Sequence, residues 1–354
     1  MGGKVSKKKN YMTKKIELNS ITEPEVNNFN YPPITTEPIT CLSKKNSNVG
    51  YCGFNNGSIS VINFNNSRIK FSTKGHEKEV TRMKYLTKSC QLCTVSRDKS
   101  IKLWSQIDEG GIDEELRCDF TLSNAHDLII SGLDISSDET TILTGSRDNT
   151  IKLWDLPKFT QKADCKISRN LVTCVKYSPT NSFIVATGED KIIRIFDPSS
   201  LNVTMEFPKK RYIQTCCDVS FDEKYVISAS NGFNGNGCEL TLWDVRMKKM
   251  LYELIGHQAT VNCCMFISND WFSTSDSCAP RIFSCGSDNS LILWNTMETQ
   301  NSPILSNHYV PSSGIMTSIL PLENQKLAVG TYNTGIVILE YNTARGSLYH
   351  VASI

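Results

Sequence analysis

Long apolar runs are missing from this chain of 354 residues. No run approaches the roughly 18–20 residues that cross a bilayer as a helix, and no apolar signal-peptide core is present near the N-terminus. An excess of charge of one sign is also missing, because 38 Lys and Arg residues nearly balance 36 Asp and Glu residues, which gives a formal net charge of +2. The sequence therefore predicts a chain without a transmembrane helix, and it gives no overall nucleic-acid signature, so no nucleic-acid partner is expected.

Catalytic motifs are lacking as well. The chain has five histidines, and it contains no nucleophile elbow, phosphate loop or HExxH helix. Its 14 cysteines come without a secretory signal, which points to a reducing compartment. No cysteine and histidine spacing completes a zinc site. We therefore expect no enzymatic activity, no cofactor and no metal.

The clearest pattern in the sequence is the stretch from Thr141 to Asp155, which reads TILTGSRDNTIKLWD. Two apolar runs flank an Asp-Asn turn, and these residue types tolerate the left-handed backbone that hairpin turns require. The pattern recurs at 93–105, 185–197 and 283–295. In all four stretches an Asp stands six residues before an aromatic residue, namely Asp98 and Trp104, Asp148 and Trp154, Asp190 and Phe196, Asp288 and Trp294. This fixed internal spacing predicts a repeat architecture.

The period of the repeat indicates how many strands each unit contains. Positions equivalent to Trp154 are 42 to 51 residues apart, and they are Ile62, Trp104, Trp154, Phe196, Trp243, Trp294 and Leu339. A four-stranded propeller blade takes roughly 40–45 residues. Such a blade has two apolar faces that it buries only against neighbouring blades. The sequence predicts an all-β, seven-bladed β-propeller over residues 34–354, with Ser347 to Ser353 favoured as the closing outer strand over Ile16–Leu18 or Ile34–Thr36.

These residues resemble WD40 repeats, which also carry a Gly-His or similar dipeptide ahead of the unit, as at Gly75-His76 and Gly256-His257. The resemblance implies that a His, a Thr or Ser, the turn Asp and a Trp form a hydrogen-bonded set in the complete units. The implied sets are His76, Thr94, Asp98 and Trp104; His126, Thr144, Asp148 and Trp154; His257, Ser284, Asp288 and Trp294. Units 1, 4 and 7 lack the Trp, and we expect them to rely on apolar packing.

Four segments resemble a narrower group, the WD repeat-containing protein 31 family: SRN at 168–170, IQT at 213–215, SNGF at 230–233 and GCELTLWD at 237–244. This resemblance implies a role in cilia and in regulating intraflagellar transport, with ciliary trafficking components as protein partners. The enlarged loop at 231–237 is the most specific of these matches.

Residues 1–33 differ in composition from the repeats and predict a disordered arm. The start Met1-Gly2 with Ser6 matches the N-myristoylation pattern, with Gly2 as the acylated residue. One myristoyl chain binds membranes only marginally, so the lysines of the arm are expected to contact an anionic membrane surface with it. Those membrane-contact residues are Lys4, Lys7, Lys8 and Lys9.

Basic residues cluster in the loops of the face that carries the Gly-His dipeptides, called the Gly-His face below. Arg97 and Arg147 precede the turn Asp of neighbouring units, and Arg169 and Arg211 lie in loops that lead into units 4 and 5. With Phe233 they are expected to form a partner-binding arc of positive charge, with Glu189 as the one matching acid. The competing interpretation is ordinary solvated surface charge.

Together these patterns predict a membrane-tethered WD40 scaffold for protein–protein interactions, at the cytoplasmic face of membranes, with the cilium or ciliary base implied by resemblance. The alternative is a substrate-receptor or nuclear-complex WD40 subunit without a lipid anchor, located in the cytosol or nucleus.

Overall fold

The computed structural model describes residues 37–107, 115–167, 171–272, 280–296, 304–310, 313–343 and 345–354. The predicted arm at 1–33 lies outside the described residues, and so do Gly2, Lys4, Lys7, Lys8, Lys9 and Arg169. Over the described ranges the chain is an all-β, seven-bladed propeller, as the repeat pattern predicted.

Each blade is a sheet of four antiparallel strands that are consecutive in the chain. Blade 1 contains β1 (Ile39–Lys44), β2 (Val49–Phe54), β3 (Ser58–Asn63) and β4 (Arg68–Lys74). Blade 2 contains β5 (Val80–Leu86), β6 (Gln91–Ser96), β7 (Ile101–Ile107) and β8 (Glu115–Leu122). Blade 3 contains β9 (Ile130–Ile135), β10 (Thr141–Ser146), β11 (Thr150–Asp155) and β12 (Thr160–Lys166). Blade 4 contains β13 (Val172–Tyr177), β14 (Ile184–Gly188), β15 (Arg194–Phe196) and β16 (Val203–Glu206).

The remaining blades repeat the same order. Blade 5 contains β17 (Gln214–Val219), β18 (Tyr225–Ser230), β19 (Leu240–Asp244) and β20 (Lys249–Leu254). Blade 6 contains β21 (Val261–Ile267), β22 (Arg281–Gly286), β23 (Ser290–Asn295) and β24 (Ile304–Tyr309), with a 3₁₀ turn at Asn269–Phe272. Blade 7 contains β25 (Met316–Pro321), β26 (Lys326–Thr331), β27 (Ile336–Asn342) and β28 (Ser347–Ser353).

The apolar core lies between neighbouring blades. The second strand of each blade is almost wholly buried, whereas outer strands such as β4 and β12 contain only exposed and half-buried residues. Clusters of buried side chains join one blade to the next, so that Trp154 packs with Leu86 and Ile101 of the preceding blade. Burial on both faces explains why the second strands consist mainly of apolar and small residues, while the outer strands carry exposed polar residues.

A ring of side-chain hydrogen bonds ties the seven innermost strands together. Near the start of each of these strands a bulge leaves one polar residue unpaired, and its side chain donates to the first carbonyl of the next innermost strand. Thr81 Oγ1 thus donates to the Ile130 carbonyl at 2.6 Å. The seven donors are Thr40, Thr81, Ser131, Thr173, Thr215, Asn262 and Thr317. Each pair of neighbouring blades is therefore joined by one equivalent side-chain hydrogen bond between their innermost strands.

The ring also closes the propeller. Thr317 Oγ1 in blade 7 donates to the Ile39 carbonyl in blade 1 at 2.9 Å. Buried side chains of both blades, including Ile39, Ile338 and Ile354, form one apolar cluster at this junction. The fourth strand of blade 7 is β28, which comes from the C-terminal end of the chain. This agrees with the closing strand that the sequence favoured.

Candidate docking face

Three histidines on the Gly-His face each hold a buried hydrogen-bonded set together. In blade 3 the indole Nε1 of Trp154 donates to Thr144 Oγ1 at 2.8 Å, and His126 Nε2 lies 2.8 Å from the same hydroxyl. His126 Nδ1 lies 3.0 Å from Asp148 Oδ2. Because an ionised carboxylate only accepts hydrogen bonds, His126 Nδ1 donates to Asp148 while Nε2 faces the Thr144 hydroxyl.

The same geometry recurs in blades 2 and 6. The structure brings together all three sets that the WD40 resemblance implied, with His76, Thr94, Asp98 and Trp104 in blade 2 and His257, Ser284, Asp288 and Trp294 in blade 6. Each Asp also accepts the backbone N–H that follows its histidine, as Asp98 does from Glu77. The sets fix the hairpin turn of a blade to the loop that leads into that blade.

Burial and hydrogen bonding set the charge states within a set. Burial acts to raise the pKa of Asp98, but hydrogen bonds from His76 and Ser100 outweigh it and hold that pKa below its ordinary value. Burial lowers the pKa of His76, although the bond to Asp98 opposes the change. A neutral imidazole therefore donates to a carboxylate, which suits a structural role.

Blade 5 builds its junction from different residues. Lys210 stands four residues before the innermost strand, where His76 stands in blade 2, and its ammonium group is paired with Glu239 and Glu253. The Trp243 indole still donates to a hydroxyl, that of Ser228, at 3.0 Å. Gln214, at a position that is apolar in the other blades, accepts from Ser228 at 2.7 Å.

Blade 4 keeps the turn Asp but pairs it with an arginine. Arg194 is buried, and its guanidinium lies 2.6 Å from Asp190 and 2.7 Å from Glu206. Phe196, the equivalent of the Trp, packs in the apolar core as expected, but the ion pairs of Arg194 were not expected. The missing histidine and tryptophan set is replaced by ion pairs of the Arg194 guanidinium with Asp190 and Glu206.

The two arginines at equivalent turn positions line one cavity. Arg97 and Arg147 both border a space of about 280 Å³ at the mouth of the central channel, between blades 2, 3 and 4. Arg97 lies 3.0 Å from Glu79, and Arg147 lies 2.8 Å from Glu189. The prediction that Glu189 is the one matching acid of the arc is wrong, because Glu79 neutralises Arg97.

The other described members of the arc lie on blade 5. The guanidinium carbon of Arg211 lies 5.5 Å from the centre of the Tyr212 ring. Arg211 also borders a second cavity together with Gly235 and Gly237. Phe233, on the enlarged 231–237 loop, is 74% exposed. The structure thus places Arg97 and Arg147 together, whereas Arg211 borders a separate cavity with the loop that carries Phe233.

The loop that carries Phe233 is fixed by its backbone. Phe233 forms an isolated bridge with Ala259 of the loop leading into blade 6, and Gly235 donates its N–H to the Gln258 carbonyl at 3.0 Å. A Cβ on Gly232 would lie 2.2 Å from the Asn236 carbonyl oxygen, so the close approach of the loop to itself requires glycine. A large apolar ring is therefore held out in solvent on a rigid support.

The described part of the chain shows no cluster of metal-ligating side chains. It also contains no helix long and apolar enough to cross a membrane. The connection between β21 and β22 is described only in part, and there Trp271 packs on Phe272, Phe283 and Tyr341.

Sequence reasoning missed the bulge ring and the Lys210 pairing. A signal for the ring was present, because a Thr, Ser or Asn follows the first residue of every innermost strand. A signal for Lys210 was its position four residues before the innermost strand, because His76, His126 and His257 stand at the same separation in their blades. Neither position belongs to the repeat pattern used above.

Comparison with a family model identifies the repeats. The model described as "WD domain, G-beta repeat" matches residues 67–105, 116–155, 161–197 and 248–295. Each matched segment covers the outer strand of one blade and the first three strands of the next. One repeat therefore spans two blades.

Curated relatives share the propeller but not the whole length. The "Ribosome biogenesis protein WDR12 homolog" of Anopheles gambiae is 32% identical over 237 residues, which are 62% of this chain and 51% of the relative. The proteins of the same name from Culex quinquefasciatus and Trichoplax adhaerens are 29% and 28% identical and cover 62% and 65% of this chain, and 52% and 55% of those relatives. The chain spans about half the length of the curated relatives it matches.

These relatives overturn the membrane interpretation. They are named as ribosome biogenesis proteins, so the prediction of a myristoylated, membrane-tethered ciliary scaffold is wrong, and the resemblance to the WD repeat-containing protein 31 family is unsupported. The expected ciliary partners and the anionic membrane surface are wrong for the same reason, and the exclusion of nucleic acid loses its ground.

Proposed function

We propose that this chain, whose WD40 repeats build a seven-bladed propeller, is a non-catalytic docking subunit for protein partners in ribosome biogenesis. The process is supported by the names of curated relatives, about half of whose length this chain matches. The nucleus is the location that this process favours, which agrees with the alternative drawn from the sequence.

The exposed Phe233 ring is the observation that carries the docking role. Aromatic side chains dominate binding energy at interfaces when they enter a pocket of the partner. Association normally loses free energy to the ordering of loops, but the backbone bonds to Ala259 and Gln258 order this loop before any partner arrives. A ring held out in this way is costly to solvate and suited to burial by a partner.

The surroundings of Phe233 suit a mixed apolar and polar contact. The cavity beside its loop has a volume of about 440 Å³ and is bordered by Arg211, Tyr212 and Lys209. Interface cores combine aromatic anchors with a polar rim, and arginine and tyrosine are enriched there. We infer that Phe233 and this cavity form the centre of one docking site on the Gly-His face.

Affinity purification of the tagged full chain from its own cells tests the process. We expect ribosome-assembly proteins and precursor ribosomal RNA to copurify, and the tagged chain to sediment with large particles. The proposal is wrong if the chain sediments at its free size and copurifies with neither. A tagged, unrelated propeller in the same cells controls for adhesion to the matrix.

A further inference from the structure

Arg82 lies at the base of the cavity between blades 2, 3 and 4. It follows Thr81, the blade 2 member of the bulge ring, and lines the same space of about 280 Å³ as Arg97 and Arg147. The half-buried guanidinium donates from Nη1 to the Thr81 carbonyl at 2.8 Å. Among the described residues Arg82 takes part in no ion pair.

Cysteines take the place of Arg82 in four other blades. Counted from the bulge, the equivalent residues are Cys41, Gly132, Cys174, Cys216, Cys263 and Ser318. Burial raises the pKa of Cys41 to about 12, so this thiol is neutral and offers no counter-charge. Among these seven equivalent positions, all of which lie in the described part of the chain, only Arg82 therefore carries a formal charge.

The charges one level deeper in the channel balance among themselves. Lys84 pairs with the buried Asp134, and Lys176 lies 3.9 Å from Asp218. Asp134 further raises the pKa of Lys176. Two lysines and two aspartates are thus already matched, and none of them is left to neutralise Arg82.

The mouth of the channel leaves one positive charge unmatched. Three arginines line the cavity, but Glu79 and Glu189 neutralise Arg97 and Arg147. Withdrawing a guanidinium from water without a counter-ion costs free energy, and an incoming anion recovers it. A surplus of one charge matches a carboxylate better than a phosphate group, which carries about two.

We propose that the cavity between blades 2, 3 and 4 takes the carboxylate of an Asp or Glu side chain from an extended segment of a partner protein, with Arg82 as its direct ligand. The planar guanidinium binds a carboxylate through two parallel N–H bonds. Val172 and Ile129 border the aliphatic part of the incoming side chain. The inference deepens the proposed docking function by naming the chemistry that a partner brings to a second place on the same face.

Fluorescence polarisation with the purified full chain tests it. The probes are dye-labelled peptides of sequence Gly-Gly-Glu-Gly-Gly, with Gln or phosphoserine at the centre as comparisons. Because hydrogen bonds to charged groups are worth roughly 1.5–3 kcal/mol, we expect the Glu peptide to bind roughly tenfold or more tightly than the Gln peptide. Equal affinities, or a phosphoserine peptide that binds more tightly than the Glu peptide, overturn the proposal.

Two variants locate the interaction. Arg82→Met and Arg82→Gln should abolish the preference for Glu, while Arg117→Met, which removes an exposed arginine of the outer strand β8, should keep it. A preference that survives in both Arg82 variants contradicts the assignment. If neither variant folds, the comparison of the three peptides on the unchanged chain decides alone. Because the measurement needs no partner, its failure leaves copurification with ribosome precursors untouched, and the reverse also holds.

Discussion

At the scale of single residues, one hydroxyl group joins the other members of each complete hydrogen-bonded set of His, Asp and Trp. Thr144 accepts from the Trp154 indole and donates to His126, so it joins the second and third strands of blade 3 to the loop before the blade. In blade 5 the hydroxyl of Ser228 fills the same role, although its second partner is Gln214. The hydroxyl and the indole are therefore the constant parts, and the third partner varies.

Replacing that hydroxyl should destabilise the fold measurably. Thr144→Val keeps the shape of the side chain but leaves the Trp154 N–H and His126 Nε2 buried without partners. The expected loss is roughly 1–3 kcal/mol in the free energy of unfolding, measured by chemical denaturation. Thr160→Val, at an exposed position of the outer strand in the same blade, is the control and should stay close to the unchanged protein. Equal denaturation midpoints for the two variants would contradict the role of Thr144.

The half-buried histidine His308 predicts a dependence of stability on pH. Burial, helped by the nearby His350, lowers the pKa of His308 to about 4 from an ordinary value of 6.5. Between these values the unfolded chain binds a proton that the folded chain does not, so stability rises with pH. This contribution is present above pH 6.5 and is lost as the pH falls towards 4.

Denaturation of His308→Gln at several pH values measures this contribution. The loss in the unchanged protein is expected to be on the order of 3 kcal/mol from this group, and the variant should lose correspondingly less over the same interval. A variant whose stability falls with pH as steeply as that of the unchanged protein would show that His308 is not responsible.

At the scale of strands, the hairpin pattern predicted the second and third strands well because a fixed turn joins them and the second strand is buried on both faces. The stretch TILTGSRDNTIKLWD became β10, a turn and β11. Two ion-pair groups were not predictable from the repeat. Arg194 pairs with Glu206, and Lys210 pairs with Glu239 and Glu253, so both groups join residues of separate strands and loops. Such pairs depend on the register between strands, which the spacing alone does not give.

The bulge residue of each innermost strand sets the junction between blades. At six junctions the chain also continues directly from one blade into the next, but blades 7 and 1 are joined only by non-covalent contacts between their strands. The hydrogen bond from Thr317 to Ile39 is therefore expected to matter more for closure than its equivalents elsewhere.

Thr317→Val tests this closure. The variant should lose about 1 kcal/mol of stability, and the backbone amides of β1 and β25 should exchange with solvent faster because the ring opens where the chain does not hold it. Thr215→Val removes the equivalent bond between blades 5 and 6 and should leave exchange in β1 unchanged. Equal exchange in β1 for the two variants would contradict a special role for the closing bond.

At the scale of the whole molecule, the propeller presents two faces of different character. The Gly-His face carries the fixed loop with Phe233 and the cavity with Arg82. The opposite face also exposes an aromatic ring, Phe221, in the turn between β17 and β18 of the same blade. The repeat spacing predicted the propeller correctly, but the four short segments that resemble another family predicted the wrong process.

Parallel purification of Phe233→Ala and Phe221→Ala tests the central claim most directly. Both rings are exposed, at 74% and 62%, and they lie on opposite faces of blade 5, so truncation of either should leave the fold intact by circular dichroism. We predict that Phe233→Ala loses most of the ribosome-assembly proteins captured by the unchanged chain, while Phe221→Ala retains them. Retention by Phe233→Ala together with loss by Phe221→Ala would contradict docking through the Gly-His face.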